Sequence, residues 1–337
     1  MTGPGPSCPE CAAPIAHADR FCESCGATLS EIRRVAIPRP GRLAEGPCAD
    51  CGNETHVDDY CTVCGHRRAE PDRDEAEIDA ITLITDRGLE HARNEDAAAA
   101  GIISDVTGAC SVAVAVCDGV STSGDPHVAS AAASKAGVDA MLSALASSRD
   151  ARSAVLAGLA QAAKAAATAV TAQSSAPSCT YTAGVFVPNP EGTGQITIGN
   201  VGDSRSYWLP EPPTAPQQLS VDDSLAQELI TAGAAADSEV VLRGAHTLTR
   251  WLGADSDAKP WSDSSVQTIT PTGRGWLLMC SDGLWNYLPD AADIAALCTG
   301  LDTKAAARAL VQHALDAGGQ DNITVAIVPI GEFHEFG

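Results

Sequence analysis

Four aspartates at the ends of apolar runs are the residues of this chain best suited to chemistry. They are Asp118 after SVAVAVC, Asp203 after QITIGNVG, Asp282 after GWLLMCS and Asp321 before NITVAIVPI. An apolar run bounded by Asp-Gly, Gly-Asp or Asp-Asn is typical of a buried strand that ends in a turn. One such aspartate is most simply a turn residue, but four short carboxylates at strand ends indicate a site for hard divalent cations.

A second set of candidate ligands is made of thiols. Eight of the 13 cysteines lie in the first 64 residues. They form four CxxC pairs: Cys8 with Cys11, Cys22 with Cys25, Cys48 with Cys51, and Cys61 with Cys64. The segments RFCESCG and DYCTVCG match, so the region is an internal repeat. Two residues between the cysteines let both thiolates turn onto one ion, and two facing pairs complete a tetrahedral zinc site.

Disulfide bonds and redox chemistry fit the CxxC pairs less well than zinc does. Disulfides are disfavoured in a reducing compartment, and a redox CxxC motif would not recur four times. Gly26 and Gly65 follow the second pair of each half, where a tight turn needs positive φ. Such small units bury no core of their own, so metal binding would drive their folding.

Composition excludes several classes of function. The chain has 337 residues and a formal net charge of -22, so a general phosphate-binding surface for nucleic acid or an attraction to anionic lipid is not expected. It contains no apolar run of about 18 residues, so no membrane span is predicted. The start, MTGPGPSC, lacks the charged-then-apolar pattern of a signal peptide. We therefore expect a cytoplasmic protein.

The order of elements predicts the fold class. Helices are expected at residues 127–146, 150–173, 290–299 and 302–316, with a short one at SLAQELITAG. Strands are expected at ITLITDRG, CSVAVAVCDG, CTYTAGVFVP, QITIGNVGDSRSYWL, RGWLLMCSDG and DNITVAIVPI. Strands and helices come in groups rather than in strict alternation, which favours an α+β sandwich with antiparallel sheets over a doubly wound fold. Neither GxGxxG nor GxxxxGK[ST] is present, so a nucleotide-binding loop is not expected.

The proline- and glycine-containing segment IPRPGR and the charged run after the last CxxC pair suggest the domain limits. We predict a first zinc ribbon at 1–29, a linker at 30–46, a second zinc ribbon at 47–66, and a charged linker at 67–80. The main domain is then predicted at 81–330, with a short C-terminal tail at 331–337.

Five motifs of the main domain carry a family resemblance. They are, in order, DRGLEHARNEDA, VCDGVS, IGNVGDSRSYWL, LMCSDGLW and GGQDNITVAIV. Together they resemble the metal-dependent serine/threonine protein phosphatases of type 2C across residues 81–330, while residues 8–66 resemble a double zinc ribbon. The resemblance implies an αββα sandwich of two antiparallel sheets flanked by helices. It also implies hydrolysis of phosphoserine and phosphothreonine in proteins by a hydroxide that bridges Mn²⁺ or Mg²⁺ ions.

The same resemblance implies roles for the aspartates. Asp118 would bridge the two Mn²⁺ or Mg²⁺ ions, and Gly119 would offer its backbone carbonyl to one of them. Asp282 and Asp321 would be the remaining ligands of the other ion. Asp203 would form a third, weaker site together with Asp282.

The loop before the second apolar run holds the remaining candidates. Glu95 and Asp96 match acidic groups that hold metal-bound waters. The family usually has arginine where this chain has His91, and that arginine grips the phosphate. His91 could donate a hydrogen bond to the phosphate, act as general acid, or be an ordinary loop histidine. Arg93 either replaces the missing guanidinium, sharing a face with His91 if side chains alternate, or belongs to a surface ion pair.

The chain departs from the family pattern at a second place, and the role of one further segment also remains open. Ser121 and Thr122 stand where the family typically has a Gly pair. Residues 220–250, called the flap segment here, correspond to the family's mobile flap. His246 and Arg243 in it are either substrate contacts or surface residues.

Three functions compete at this stage. The first is a phosphatase acting on phosphoserine and phosphothreonine proteins, among them a protein kinase or its substrates, with the ribbons docking partners. The second is a catalytically weak regulatory scaffold that binds partners through its zinc ribbons. The third is an enzyme acting on a small phosphorylated molecule. The retained acidic residues argue against the scaffold, which would be expected to lose one of them.

Two zinc ions per chain are expected, because each ribbon supplies four thiolates. Elemental analysis of the purified full chain should find about two Zn²⁺ per molecule, and paired Cys→Ser changes in one ribbon should halve that content. The matched control is Cys298→Ser, since this thiol lies far from any CxxC pair in sequence. A preparation without zinc would exclude the ribbons.

Overall fold

The structure is a computed structural model. It describes residues 7–331 apart from 9, 16–18, 20, 28, 30, 42, 69–70, 105–108, 148–149, 171–175 and 190–193. From residue 332 onward the predicted C-terminal tail lies outside the described residues.

Strands dominate the middle of the molecule. In chain order they are β1 (Glu31–Ile37), β2 (His56–Val57), β3 (Tyr60–Cys61), β4 (Arg73–Ile78), β5 (Ile81–Asp86), β6 (Ala97–Ser104), β7 (Cys110–Cys117), β8 (Ser178–Cys179), β9 (Tyr181–Pro188), β10 (Gly194–Val201), β11 (Arg205–Pro210), β12 (Gln217–Gln218), β13 (Leu252–Gly253), β14 (Val266–Ile269), β15 (Gly275–Cys280) and β16 (Ile323–Ile330). Two six-stranded antiparallel sheets result, in the orders β1-β6-β7-β9-β10-β14 and β12-β11-β15-β16-β5-β4.

Helices cover the outer faces of both sheets. They are α1 (Pro126–Ala146), α2 (Ala151–Thr168), α3 (Leu225–Thr231), α4 (Glu239–Arg243), α5 (Asp282–Trp285), α6 (Ala291–Cys298) and α7 (Thr303–Asp316), with a 3₁₀ turn at Asp263–Ser265. The four long predicted helices correspond to α1, α2, α6 and α7, and the short helix predicted at SLAQELITAG corresponds to α3. Within the described residues, no helix combines the length and apolarity needed to cross a membrane.

Three apolar layers hold the sandwich together. Leu142 of α1 and Leu159 of α2 are fully buried against the first sheet. Ile102 and Met279 lie in the layer between the two sheets, and Leu310 of α7 packs on the second sheet. The predicted αββα sandwich of antiparallel sheets is therefore confirmed.

The alanine-rich strand β6 has no counterpart in the predicted elements. Its sequence, AAAAGIIS, has little intrinsic preference for strand. In the fold it is a central strand between β1 and β7, and seven of its eight residues are buried. Small side chains suit this position because α1 packs closely on one face and the second sheet on the other. Tertiary packing here overrides local propensity.

Both predicted linkers contain strands, so those parts of the domain assignment are wrong. In the segment 30–46, β1 pairs with β6 along its whole length, from Glu31↔Ser104 to Ile37↔Ala98. In the segment 67–80, β4 pairs with β5 from Arg73↔Asp86 to Ile78↔Ile81. Both are edge strands, which commonly carry charged residues. In β4 the charged residues hid an alternation of buried and less buried positions.

Ion pairs fasten these edge strands to each other. Asp74 on β4 is only 3% exposed, and it accepts hydrogen bonds from the Arg39 backbone N–H at 2.7 Å and from Arg39 Nε at 3.1 Å. Arg33 on β1 makes a two-point contact with Asp79, at 2.6 and 2.5 Å. The segments that flank the second zinc ribbon are thus part of the main sandwich.

Ile37→Ala should destabilise the main domain, although Ile37 lies in a segment predicted as linker. Its side chain is 1% exposed and belongs to the layer between the sheets, so truncation should lower the free energy of unfolding by about 2–5 kcal/mol. Urea unfolding followed by tryptophan fluorescence measures this. The control Val63→Ala, at a position 72% exposed on the second ribbon, should change it by less than about 0.5 kcal/mol. Equal effects would mean that β1 adds nothing to the core.

Candidate active site and zinc sites

Antiparallel register brings the strand-end carboxylates to one end of the sandwich. The pairs Ala97↔Cys117, Tyr181↔Val201 and Arg205↔Cys280 all lie at this end. Asp96 directly precedes β6, Asp118 follows β7, Asp203 lies between β10 and β11, Asp282 follows β15 at the first turn of α5, and Asp321 precedes β16. Residues far apart in sequence therefore meet because the ends of their strands meet.

A cleft of about 1050 Å³ opens at this end. All five residues predicted to ligate Mn²⁺ or Mg²⁺ line it: Asp118, Gly119, Asp203, Asp282 and Asp321. Gly119 lies in a close approach between loops, because a Cβ there would be 2.7 Å from the Glu95 carbonyl oxygen. A side chain at this position would push the two loops apart.

Each of these carboxylates makes ionisation of its neighbours less favourable. Burial, followed by the charges of Asp96 and Asp282, raises the pKa of Asp118 well above its ordinary value. Burial and Asp282 raise the pKa of Asp203 to about 7, and the same two causes raise the pKa of Asp321. Burial also raises the pKa of Asp96. A cluster of this kind is relieved by bound cations.

Two buried oxygens of the cluster lack a hydrogen-bond partner among the described residues. They are Asp96 Oδ1 and Asp282 Oδ1. The other oxygen of Asp96 accepts a hydrogen bond from Ser281 Oγ at 2.7 Å. Buried carboxylate oxygens rarely stay unpaired, so these two fit a cation or water that a cation holds.

The carboxylates are spread along the cleft and do not converge on one point. Among the described residues, only cysteines gather three or more ligand atoms within 4.8 Å of one another. A spread set of oxygen ligands suits more than one ion, with waters filling the remaining positions.

Asn322 ties the loop that carries Glu95 to the carboxylate cluster. Its Oδ1 accepts a hydrogen bond from the Glu95 backbone N–H at 2.6 Å. Its Nδ2 donates to the carbonyl oxygens of Arg87 at 2.7 Å and Arg93 at 3.1 Å. Asn322 is 2% exposed, so all three bonds are shielded from water. The Glu95 carboxylate accepts a hydrogen bond from Ser121 Oγ at 3.3 Å.

His91 and Arg93 point to different places. His91 Nε2 lies 3.2 Å from Asp321 Oδ1, beside the cluster. Arg93 Nη1 lies 3.1 Å from His127 Nδ1 and 3.8 Å from Asp125 Oδ1, and it lines a separate cavity of about 620 Å³. The two side chains do not share a face because this loop is not a strand. Of the two alternatives for Arg93, the geometry matches the surface ion pair.

Sequence reasoning missed an aromatic support beside the cleft. Trp285 Nε1 donates a hydrogen bond to the Asp203 carbonyl oxygen at 2.8 Å. The Arg205 guanidinium lies 3.8 Å from the centre of the Trp285 ring and pairs with Asp222 at 2.7 Å. The His246 ring is stacked on Trp285 at a centroid distance of 6.0 Å. Only DGLW, with its tryptophan next to a candidate ligand, hinted at this.

The two candidate residues of the flap segment, His246 and Arg243, lie in different surroundings. His246 lines the cleft, and its Nδ1 lies 3.8 Å from Asp282 Oδ2. Arg243 instead pairs with Glu239 one helical turn away, and its side chain is 77% exposed. Of these two residues, only His246 is positioned to meet a substrate.

The eight N-terminal cysteines form two clusters of four, with all sulfur atoms of a cluster within 4.8 Å of one another. Zn–S bonds of about 2.3 Å place tetrahedral sulfur atoms about 3.8 Å apart. The Sγ–Sγ distances are 3.7 Å for Cys8–Cys25, 3.6 Å for Cys11–Cys22, 3.6 Å for Cys48–Cys64 and 3.5 Å for Cys51–Cys61. Backbone N–H groups of Cys25 and Cys64 lower the pKa of Cys22 to about 7 and of Cys61 to about 5. Both clusters therefore fit Zn²⁺.

The turns after the CxxC pairs have the predicted backbone conformation. Gly26 and Gly65 have φ of 76° and 71°. Each donates its N–H to the carbonyl of the first cysteine of its pair, at 2.8 and 2.9 Å.

Comparison with known proteins finds similarity to a double zinc ribbon and to serine/threonine phosphatases. A family model described as double zinc ribbon matches residues 8–65. The serine/threonine phosphatase stp of Listeria welshimeri is 35% identical over 137 residues, which are 40% of this chain and 51% of the relative. The chain thus spans about half the length of the curated relatives it matches first.

Solved structures match over a longer range. The PPM Ser-Thr phosphatase MsPP of Mycobacterium smegmatis, in complex with cacodylate, is 30% identical with a TM-score of 0.58, over 75% of this chain and 98% of that one. The catalytic domain of the serine/threonine protein phosphatase PstP, in complex with two manganese ions, is 23% identical with a TM-score of 0.52, over 74% and 97%. The second likeness shows the fold alone.

Asp203→Asn should stabilise the protein when Mn²⁺ and Mg²⁺ are left out of the buffer. The folded-state pKa of about 7 lies above the ordinary 3.8, so wild-type stability should fall as the pH rises from about 4 to about 7. Asn removes that penalty, and the Tm should exceed the wild-type value at pH 8 by several degrees but match it near pH 4.5. Thermal scans across pH measure this. A lower Tm at pH 8 would contradict the repulsion.

Proposed function

The chain belongs to the PPM family of serine/threonine phosphatases, and we propose that it hydrolyses phosphoserine and phosphothreonine in proteins with Mn²⁺ or Mg²⁺ bound in the cleft. The observation that carries this proposal is the set of mutually repelling carboxylates at one end of the sandwich, two of whose buried oxygens lack a partner among the described residues.

The residues of the cleft fit such ions. Asp118, the Gly119 carbonyl, Asp282 and Asp321 would hold two of them, and Asp203 with Asp282 would hold a third. Bound divalent cations would neutralise the phosphate charge and activate a water for attack on phosphorus. The PstP structure with two manganese ions supports this assignment by shared fold.

The other residues of the site would position water and substrate. Asp96, oriented by Ser281, and Glu95, held through the Asn322 bonds to its loop, would accept hydrogen bonds from waters at the ions. His91, next to Asp321, would donate a hydrogen bond to the phosphate or a proton to the leaving alkoxide. The seryl or threonyl oxygen would leave on the side of the phosphorus opposite the attacking water.

For the zinc ribbons we propose a docking role. Phe21, Tyr60 and Val63 on the two ribbons are 57%, 52% and 72% exposed, so these apolar side chains are available to contact a partner protein. A phosphoprotein substrate or its protein kinase would bind there. The eight free thiols suit a reducing compartment such as the cytoplasm.

Asp282→Asn should abolish Mn²⁺-dependent hydrolysis of p-nitrophenyl phosphate and of a phosphothreonine peptide. The change removes a shared carboxylate from the cleft while keeping its size, so the rate should fall at least about 100-fold. Asp290→Asn, at an exposed helix start, is the matched control and should keep wild-type kcat and KM.

Full-length protein should be compared with and without Mn²⁺. A truncation beginning at residue 78 would delete β1 and most of β4, so it is unsuitable. Retained activity in Asp282→Asn would reject the metal assignment. A wild-type protein inactive on both substrates would favour the regulatory scaffold instead.

A further inference from the structure

The cleft is short of positive charge for an enzyme whose substrate is a phosphate dianion. Among the described residues that line it, His246 is the one basic side chain, and neither lysine nor arginine is present. Arg93 lines the separate cavity, and His91 lies against Asp321. Besides the proposed ions and His91, His246 is therefore the basic group in the cleft that could donate to the phosphate.

His246 is accessible and well supported. Its side chain is 61% exposed, so a ligand can reach it. The ring is stacked on Trp285, nearly parallel at 8°, and Trp285 is itself held by its bond to the Asp203 carbonyl. Asp282 lies next to the imidazole, at 3.8 Å from Nδ1. The imidazole thus stands between the carboxylates and the open part of the cleft.

Local contacts also fix the chain around His246. The neighbouring Thr247 carbonyl accepts a hydrogen bond from the Leu225 N–H at 2.8 Å. The Thr249 N–H donates to the Asp223 carbonyl at 2.9 Å, and Arg250 pairs with the Asp223 carboxylate at 2.7 Å. These bonds hold the end of the flap segment against its beginning and set the position of His246.

Hydroxyl groups provide further donors in the same cleft. Ser121, Thr122 and Ser123 line it on the loop that follows Asp118. Ser121 Oγ already donates its hydrogen to the Glu95 carboxylate, which leaves Thr122 and Ser123 as the hydroxyl donors of this loop. A phosphate oxygen can accept hydrogen bonds from both hydroxyl and imidazole groups, and those from a basic group are the stronger.

We propose that His246 is a substrate-binding residue whose imidazole N–H donates a hydrogen bond to a phosphate oxygen of the phosphorylated substrate. Because His246 belongs to the flap segment, that segment contributes a side chain directly to phosphate binding. The inference rests on the proposed phosphatase function.

Three substitutions at His246 in the full-length chain separate the possible roles. His246→Ala removes the ring and its donor, His246→Phe keeps an aromatic ring on Trp285 without a donor, and His246→Gln keeps a side-chain N–H donor without the ring. Arg243→Gln, in the same segment but paired only with Glu239 in this structure, is the matched control. For each, kcat and KM are measured with p-nitrophenyl phosphate and a phosphothreonine peptide at saturating Mn²⁺.

A hydrogen bond to a charged group corresponds to about 10-fold or more in binding. His246→Ala and His246→Phe should therefore raise KM, and the inhibition constant of inorganic phosphate, by about 10-fold or more. His246→Gln should recover part of this loss, and Arg243→Gln should match wild type. Mn²⁺ stoichiometry should be the same in all variants.

Several outcomes would overturn the proposal. Wild-type KM in His246→Phe would mean that the residue only packs the flap segment on Trp285. Loss of Mn²⁺ in His246→Ala would mean that it acts through Asp282. If wild-type protein hydrolyses neither substrate, the proposed function fails separately. Calorimetric titration of the Mn²⁺-loaded proteins with inorganic phosphate then still decides the role of His246, because equal affinity in wild type and His246→Phe would reject it.

Discussion

Mutual repulsion among buried carboxylates is the constraint on which the rest of this structure depends. Asp96, Asp118, Asp203 and Asp321 all have raised pKa values, because burial and one another's charges oppose ionisation. A chain with a net charge of -22 offers little general compensation. The fold must therefore supply enough stability elsewhere to hold these groups together until cations bind.

That stability comes from the sandwich behind the site. Strand register, and not local sequence, decides that the ends of β7, β10 and β15 coincide with the starts of β6 and β16. Three apolar layers prevent the strands from slipping, since a shift of one residue would exchange buried and exposed faces. The side chain of Asn322, directly before β16, makes hydrogen bonds to the loop that carries Glu95. The position of this loop is therefore fixed relative to the sheet.

The N-terminal region is joined to this sandwich more closely than a tethered module would be. Strands β1 and β4 extend one sheet each, and the buried carboxylate of Asp74 is compensated by Arg39 from the segment after β1. A buried charge is tolerated only with a partner of this kind. The strands that flank the second ribbon in the chain therefore attach it to both sheets of the sandwich.

Some features of this protein follow from the sequence by itself. The CxxC repeat, the aspartates at strand ends and the grouping of strands and helices are local signals, and each depends on neighbours within a few residues. They determined the zinc clusters, the αββα class and the residues that line the cleft. Only the tertiary structure decided that the charged edge strands β1 and β4 and the alanine-rich β6 belong to the sheets, that Arg93 turns away from the cleft, and that His246 enters it. These outcomes depend on partners far along the chain, such as Trp285 for His246 and Asp74 for Arg39. No local pattern encodes such a contact, because its energy exists only once the fold has brought the two partners together.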